Sequence, residues 1–380
     1  MTSLYYGSVK NRVEFIELLK SGWPGSRFLC VQPVDVFSNT RGAWKRWRFK
    51  SPGTNPWTKG YLEHRRRKIM RVLHSGDLVH STMSSLLCAY LILTVLLSGQ
   101  LLAADSRIIA PGATLQKLAG GFPFTEGPTC DSQGNVFFTD QPNDRIMQWN
   151  VEGKLSTFMK PCGRSNGLSF DHAGNLWACA DEKNELWRID PAGKVLVAVK
   201  DYEGKLLNGP NDVWIRPGGG LFFTDPFYER PYWKRGPKEM GECVYYLAPD
   251  SKKLERVIDD LKQPNGIIGT PDGTTLYVAD IGAGKTYRYA IQPDGSLKEK
   301  RLFCQMGSDG MTIDSQGNIY LTGKGVFIFD TSGQRIEHVE VPEPWTANVC
   351  FGGKDRKTLF ITASKSLYAL QMQVKGVDSQ

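Results

Sequence analysis

The sequence predicts an all-β fold, a six-bladed β-propeller with four-stranded blades, over residues 105–375. Three observations carry that expectation. One strand signature recurs six times, tight turns flank its copies, and the copies stand about one propeller blade apart.

The copies are VFFTD (136–140), LWACA (176–180), LFFTD (221–225), LYVAD (276–280), IYLTG (319–323) and LFITA (359–363), with starts 40, 45, 55, 43 and 40 residues apart. A branched or aliphatic residue, an aromatic and a short alternating run predict a half-buried strand. Ahead of most copies stands a turn such as Asp131-Ser-Gln-Gly-Asn135 or Asp314-Ser-Gln-Gly-Asn318. There Gly supplies positive φ and the Asx side chains cap the turn. After them come further hairpins, among them LWRIDPAGKV (186–195) and YRYAIQPDGSL (287–297). Four short strands per repeat make one blade. Innermost strands are expected at 168–170, 213–215, 267–269 and 311–313, and Ile108–Leu118 is expected to close the ring against the last blade. Closure leaves no long free strand edge.

The rest of the chain differs in character. With 380 residues, 41% apolar and 23% charged, it is neither a disulfide-stapled miniprotein nor a disordered chain. The net charge of +8 is local: residues 1–82 hold 15 Lys and Arg against 5 Asp and Glu, and the remainder is slightly acidic. Nucleic-acid binding is therefore excluded as the main function. Residues 1–82 are expected to be a mis-assigned start or a disordered basic tail. Residues 83–104 contain the uncharged run LLCAYLILTVLLSGQLLAA (86–104), preceded by Arg65, Arg66, Arg67, Lys68 and Arg71. That pattern predicts an export signal cut near Ala103 or Ala104, with an uncleaved membrane anchor as the alternative. Export implies a periplasmic or secreted protein. The six later cysteines form no CxxC pair and fall in or near apolar stretches. Buried free thiols are expected, with one disulfide left open.

A second register runs inside the repeat. Ten or eleven residues before each signature stand Glu126, Asn166, Asn211, Asn265, Asp309 and Asn348. In a closed propeller these positions converge on the central channel at one end. Two carboxylates and four amides, with no thiol or imidazole, suit a hard cation. Two converging acids would repel unless a proton or a cation lies between them. Asx-Gly pairs are also ordinary turn formers. Glu126 is not, and the register holds six times.

The strings TEGPT (125–129), SNGLSFD (165–171), YEGKLLNGPNDV (202–213), FFTDPFY (222–228), QPNGI (263–267) and SDGMTID (308–314) resemble, in order, those of the SMP-30/gluconolactonase/LRE family. The resemblance implies a divalent metal held by Glu126, Asn265 and Asp309, with Asn211 touching metal or substrate. It also implies that Asp309 is the acid/base, and that the chemistry is metal-dependent opening of a gluconolactone-like sugar lactone to the aldonic acid. Ca²⁺ is the first expectation, and Zn²⁺, Mg²⁺ or Mn²⁺ would also fit oxygen ligands. Some animal members carry a substrate-gripping Arg two residues before the PND Asn. Gly209 stands there in this chain, as expected of the bacterial type.

Asn166 is a further substrate-side candidate. The longest inter-repeat segment contains PFYERPYWKRGPKEMGE (226–242), a candidate lid. Its Phe227, Tyr228, Tyr232 and Trp233 could stack on a sugar-like ring or simply pack the loop down. Two other motifs are set aside. Gly163-Arg-Ser-Asn-Gly167 matches a GxSxG nucleophile elbow, but strand and turn follow it instead of a helix. Gly284-Lys285-Thr286 approaches a phosphate loop, yet YRYAI (287–291) continues as a strand. Two other readings stay open: a non-catalytic, metal-stabilised binding module, and a related metal-dependent esterase or phosphotriesterase-like propeller.

Overall fold

The computed structural model describes residues 106–250 and 253–377. The expected basic segment and the expected signal or anchor lie outside these residues. Among the described residues no helix is long and apolar enough to cross a membrane.

Six four-stranded antiparallel sheets form the fold, together with one small hairpin that pairs Asp201–Tyr202 with Lys205–Leu206. The first blade runs through Thr125–Cys130, Val136–Asp140, Arg145–Trp149 and Leu155–Met159. The next four repeat this order. Their first strands are Leu168–Phe170, Val213–Ile215, Pro264–Gly269 and Met311–Ile313. The sixth blade takes Thr346–Gly352, Thr358–Ala363 and Ser366–Gln371 from the end of the chain. Its outer strand is Gln116–Gly120, paired so that Gln116 faces Ala369 and Gly120 faces Ser366. The closing strand thus lies slightly later than expected, with Ile109 adding a single bridge to Met372. First strands touch first strands all the way round, the sixth blade's meeting the first's.

The core sits between blades. Each of six apolar clusters joins two neighbouring sheets, such as Trp177, Cys179 and Leu186 with Val213, Phe223 and Tyr245 between blades two and three. This corrects the expectation of half-buried signature strands. VFFTD, LWACA, LFFTD and IYLTG are buried at every residue. Both faces of a second strand lie against an adjacent blade, so its alternation does not mark a wet side. The six described cysteines are buried, and Cys162, Cys179, Cys243, Cys304 and Cys350 are free thiols.

Antiparallel pairing sets which end carries the site. The start of each first strand pairs with the end of the second, as Thr125 does with Asp140 and Pro264 with Asp280. The connections between second and third strands therefore emerge at the end where the polar register begins. The 226–242 loop is one of these. Below this end the channel holds a cavity of about 120 Å³, lined from all six first strands and by Val377.

Candidate functional site

The polar register comes together because the chain leaves room for it. A Cβ at Gly127 would fall on the Asn166 carbonyl oxygen of the next blade. A Cβ at Gly167 would lie 2.6 Å from the Asn211 carbonyl oxygen, and one at Gly266 2.9 Å from that of Asp309. One at Gly310 would overlap the Asn348 side chain. The glycine that follows four of the six polar residues is therefore where the next blade closes in, which is more than turn formation. The Gly167 N–H donates to the Asn211 carbonyl at 2.7 Å across this gap.

Threonines near the ends of the second strands brace the same backbone. Thr139 Oγ1 donates to the Asn166 carbonyl at 3.1 Å, Thr322 Oγ1 to the Ala347 carbonyl at 2.8 Å, and Thr362 Oγ1 to the Asn348 carbonyl at 3.2 Å. Being buried, these hydroxyls need such partners, and each fixes a site residue through its main chain.

At the centre, Asn265 Nδ2 donates to Asp309 Oδ1 at 2.9 Å and to the Tyr228 hydroxyl at 2.8 Å. The Trp345 indole N–H donates to Asp309 Oδ2 at 2.6 Å. Glu126 is buried and accepts the Gly127 N–H at 3.1 Å. Burial raises the Glu126 carboxyl well above its usual range, and the negative field of Asp309 raises it further. Burial lifts Asp309 to about 6, against the pull of the Trp345 and Asn265 hydrogen bonds. Glu126, Asn265, Asp309 and Tyr228 are thus brought together.

Asn166 and Asn211 are buried on adjacent blades, their backbones joined to Cys179 and Thr224 respectively. Phe227 packs within the loop, 5.4 Å from Trp233 and beneath Arg235 and Lys238. Ser165 of the GxSxG string donates to the Cys162 carbonyl at 2.6 Å and precedes a strand, as expected of a non-catalytic serine.

Sequence reasoning missed Trp345, Arg230, Asp212 and Asp181. Asp212 stands in the column that holds Gly in four of the other five repeats. Its carboxylate accepts the Val213 and Ile267 N–H groups and a hydrogen bond from the Asn348 side chain, and burial raises it to about 7. An acid in a glycine column was a readable signal. Asp181 lies just after LWACA and anchors the loop. It accepts the Tyr232 hydroxyl at 2.5 Å, the Gln141 amide at 3.2 Å and the Arg230 guanidinium at 3.2 Å, while its carbonyl takes the Trp233 indole at 3.0 Å. Arg230 in turn lies 5.1 Å from the Tyr228 ring centroid. A Cβ at Gly209 would sit 2.9 Å from Trp233, so this loop fills the space a side chain there would need. Replacing Asp181 by alanine is expected to speed tryptic cleavage within 226–242 several-fold at little cost to the melting temperature. Limited proteolysis followed by mass spectrometry reads this directly.

The site also has the makings of an ion pocket. Asn265 Oδ1 is buried with no hydrogen-bond partner. A buried amide oxygen left bare beside two carboxylates is an energetic liability that a cation removes. Among the described residues no three His, Cys, Asp or Glu side chains form a ligand cluster. The set here is two acids with amide oxygens, which favours a hard ion.

Comparison with known proteins agrees with this fold. Residues 124–365 match the family model described as the SMP-30/Gluconolactonase/LRE-like region. Gluconolactonase from Zymomonas mobilis is 28% identical over 301 residues, covering 71% of this chain and 84% of its own. Lactonohydrolase oryL from Aspergillus oryzae is 27% identical over half of each chain. The solved gluconolactonase XC5397 of Xanthomonas campestris superposes with a TM-score of 0.66 at 29% identity, covering 71% of this chain and 92% of that one. With the matched region reaching into all six sheets and including every residue of the polar register, the chain belongs to the SMP-30/gluconolactonase/LRE family.

Proposed function

We propose that this propeller is a metal-dependent lactone hydrolase that adds water across the ring ester of a gluconolactone-like sugar and releases the aldonic acid. The chain is an enzyme of the lactone-hydrolase class, in keeping with the names of its relatives. The bare, buried Asn265 Oδ1 beside Asp309 and Glu126 carries the metal part of the reading.

Glu126, Asn265 and Asp309 would hold the ion, with Asn211 completing the shell or orienting substrate. Ca²⁺ suits this donor set, and Mg²⁺, Mn²⁺ or Zn²⁺ can occupy it. When bound, a divalent ion supplies Lewis-acid polarisation of the lactone carbonyl and acidifies water. Asp309 takes the proton from the attacking water and returns it to the leaving alkoxide. Its two hydrogen-bond donors, Trp345 and Asn265, fix the carboxylate plane while it does so. Asn166, Phe227 and Tyr228 are the substrate-side candidates around the mouth. The apolar 86–104 segment supports an exported compartment for the reaction, with or without a membrane anchor.

The test is proton release from glucono-1,5-lactone and a panel of small lactones. Activity is expected to vanish in EDTA and to return with Ca²⁺ or another divalent ion. Turnover that is indifferent to EDTA defeats the metal mechanism. Ion binding without turnover on any lactone leaves the non-catalytic module standing instead.

A further inference from the structure

Both hydrogens of the Asn265 amide are committed, one to Asp309 Oδ1 and one to the Tyr228 hydroxyl. An ionised carboxylate can only accept, so the amide must present its nitrogen to Asp309. The oxygen is then left outside both contacts, buried and bare. Tyr228 is itself pinned from behind: Arg230 covers its ring at 5.1 Å, and Arg230 is fixed at 3.2 Å by Asp181 of the second blade. The loop from blade three therefore reaches blade two through Asp181 and blade four through Asn265.

We propose that Tyr228 is a positioning residue for the ion, holding the Asn265 amide so that its oxygen faces the cation, with the Arg230–Asp181 pair as its brace. This rests on the metal-dependent reading above and deepens it. The segment that borders the substrate mouth also sets how tightly the ion is held. Outer partners that orient a metal ligand typically contribute about 10- to 100-fold in affinity.

The experiment is calorimetric titration of the EDTA-stripped full chain with Ca²⁺, paired with melting temperatures in EDTA. Tyr228→Phe keeps the ring and removes the acceptor. It is expected to weaken Ca²⁺ binding about tenfold while the EDTA melting temperature stays near wild type. In an Asn265→Asp background the same change is expected to alter affinity less than about twofold, since a carboxylate offers an oxygen in either orientation. Wild-type affinity in Tyr228→Phe overturns the proposal and leaves the metal-dependent reading intact. An undiminished loss in the Asn265→Asp background also overturns it, by showing a merely structural role. A wild-type chain that binds no divalent ion sinks both. Should Tyr228→Phe fail to fold, Arg230→Ala frees the ring while keeping its hydroxyl. Weaker Ca²⁺ binding there supports the proposal, and unchanged binding overturns it.

Discussion

Asp309→Ala is expected to abolish lactone hydrolysis while the protein stays fully folded. The proton shuttle is lost, which by itself accounts for roughly 10²- to 10⁴-fold, and one of two anionic ligands goes with it. Stability should hold because the ion-free pocket keeps two acids against their preference: burial raises both Glu126 and Asp309, and the charge of Asp309 raises Glu126 further. Removing one relieves the other. Asp314→Ala, five residues along, is expected to do the reverse. Asp314 is fully buried. Its oxygens accept the Gln316 and Asn318 N–H groups, the Asn318 amide at 2.8 Å and the Tyr320 hydroxyl at 3.0 Å. Alanine there strands the hydroxyl of a fully buried tyrosine and opens the turn. The expected loss is about 3–5 kcal/mol, or a melting temperature lower by about 10 °C, with substantial turnover in the fraction that remains folded. Circular dichroism melts and initial rates at saturating Ca²⁺, taken on both variants, separate the two roles. Full activity in Asp309→Ala would remove Asp309 from the chemistry.

Gly127→Ala is expected to damage fold and site together. Residue 127 has φ of +37°, which L side chains rarely adopt, and its Cβ would land on the Asn166 carbonyl of the neighbouring blade. The strain of left-handed backbone adds about 1–2 kcal/mol, and overpacking against a main chain about 1–3 kcal/mol more. Because the clash lies between Glu126 and Asn166, the first two blades must spread at the mouth. Ca²⁺ affinity should drop at least tenfold, as expected when support around a ligand is disturbed, and the melting temperature should fall by about 10 °C. Gly153→Ala makes a fair control. That glycine is also left-handed, but the only atom its Cβ would meet lies 3.7 Å away, on Trp149. It should cost stability without touching ion affinity.

The architecture was legible because a propeller writes itself repeatedly. Six copies of one strand and its turns give six independent readings of the same unit, so errors at single residues average out. The polar register was legible for the same reason, being carried at a fixed distance from each copy. What could not be read sits outside the repeat. Trp345 reaches Asp309 from the approach to blade six, and Arg230, Tyr232 and Trp233 converge on Asp181 through an irregular loop. No periodicity announces such contacts, because they join residues on different sheets by way of segments with no regular spacing. The role of the aromatic loop was open between stacking on sugar and packing down, and its members divide. Tyr232 and Trp233 bind the loop to the second blade, while Tyr228 faces Asn265. The half-buried reading of the signature strands failed for a related reason: alternation reports side-chain direction, and only neighbouring sheets decide what each direction meets.

The sixth sheet takes its outermost strand from Gln116–Gly120 and its other three from the last part of the chain. During synthesis, then, Gln116–Gly120 emerges well before its partner Ser366–Gln371 and must wait for it. Until Ser366–Gln371 leaves the ribosome the barrel of blades stays open at a seam, with unpaired backbone on both sides. Assembly is therefore gated by a contact between segments far apart in sequence, which slows its completion, and a message that stops short of Ser366 would yield a ring that cannot shut.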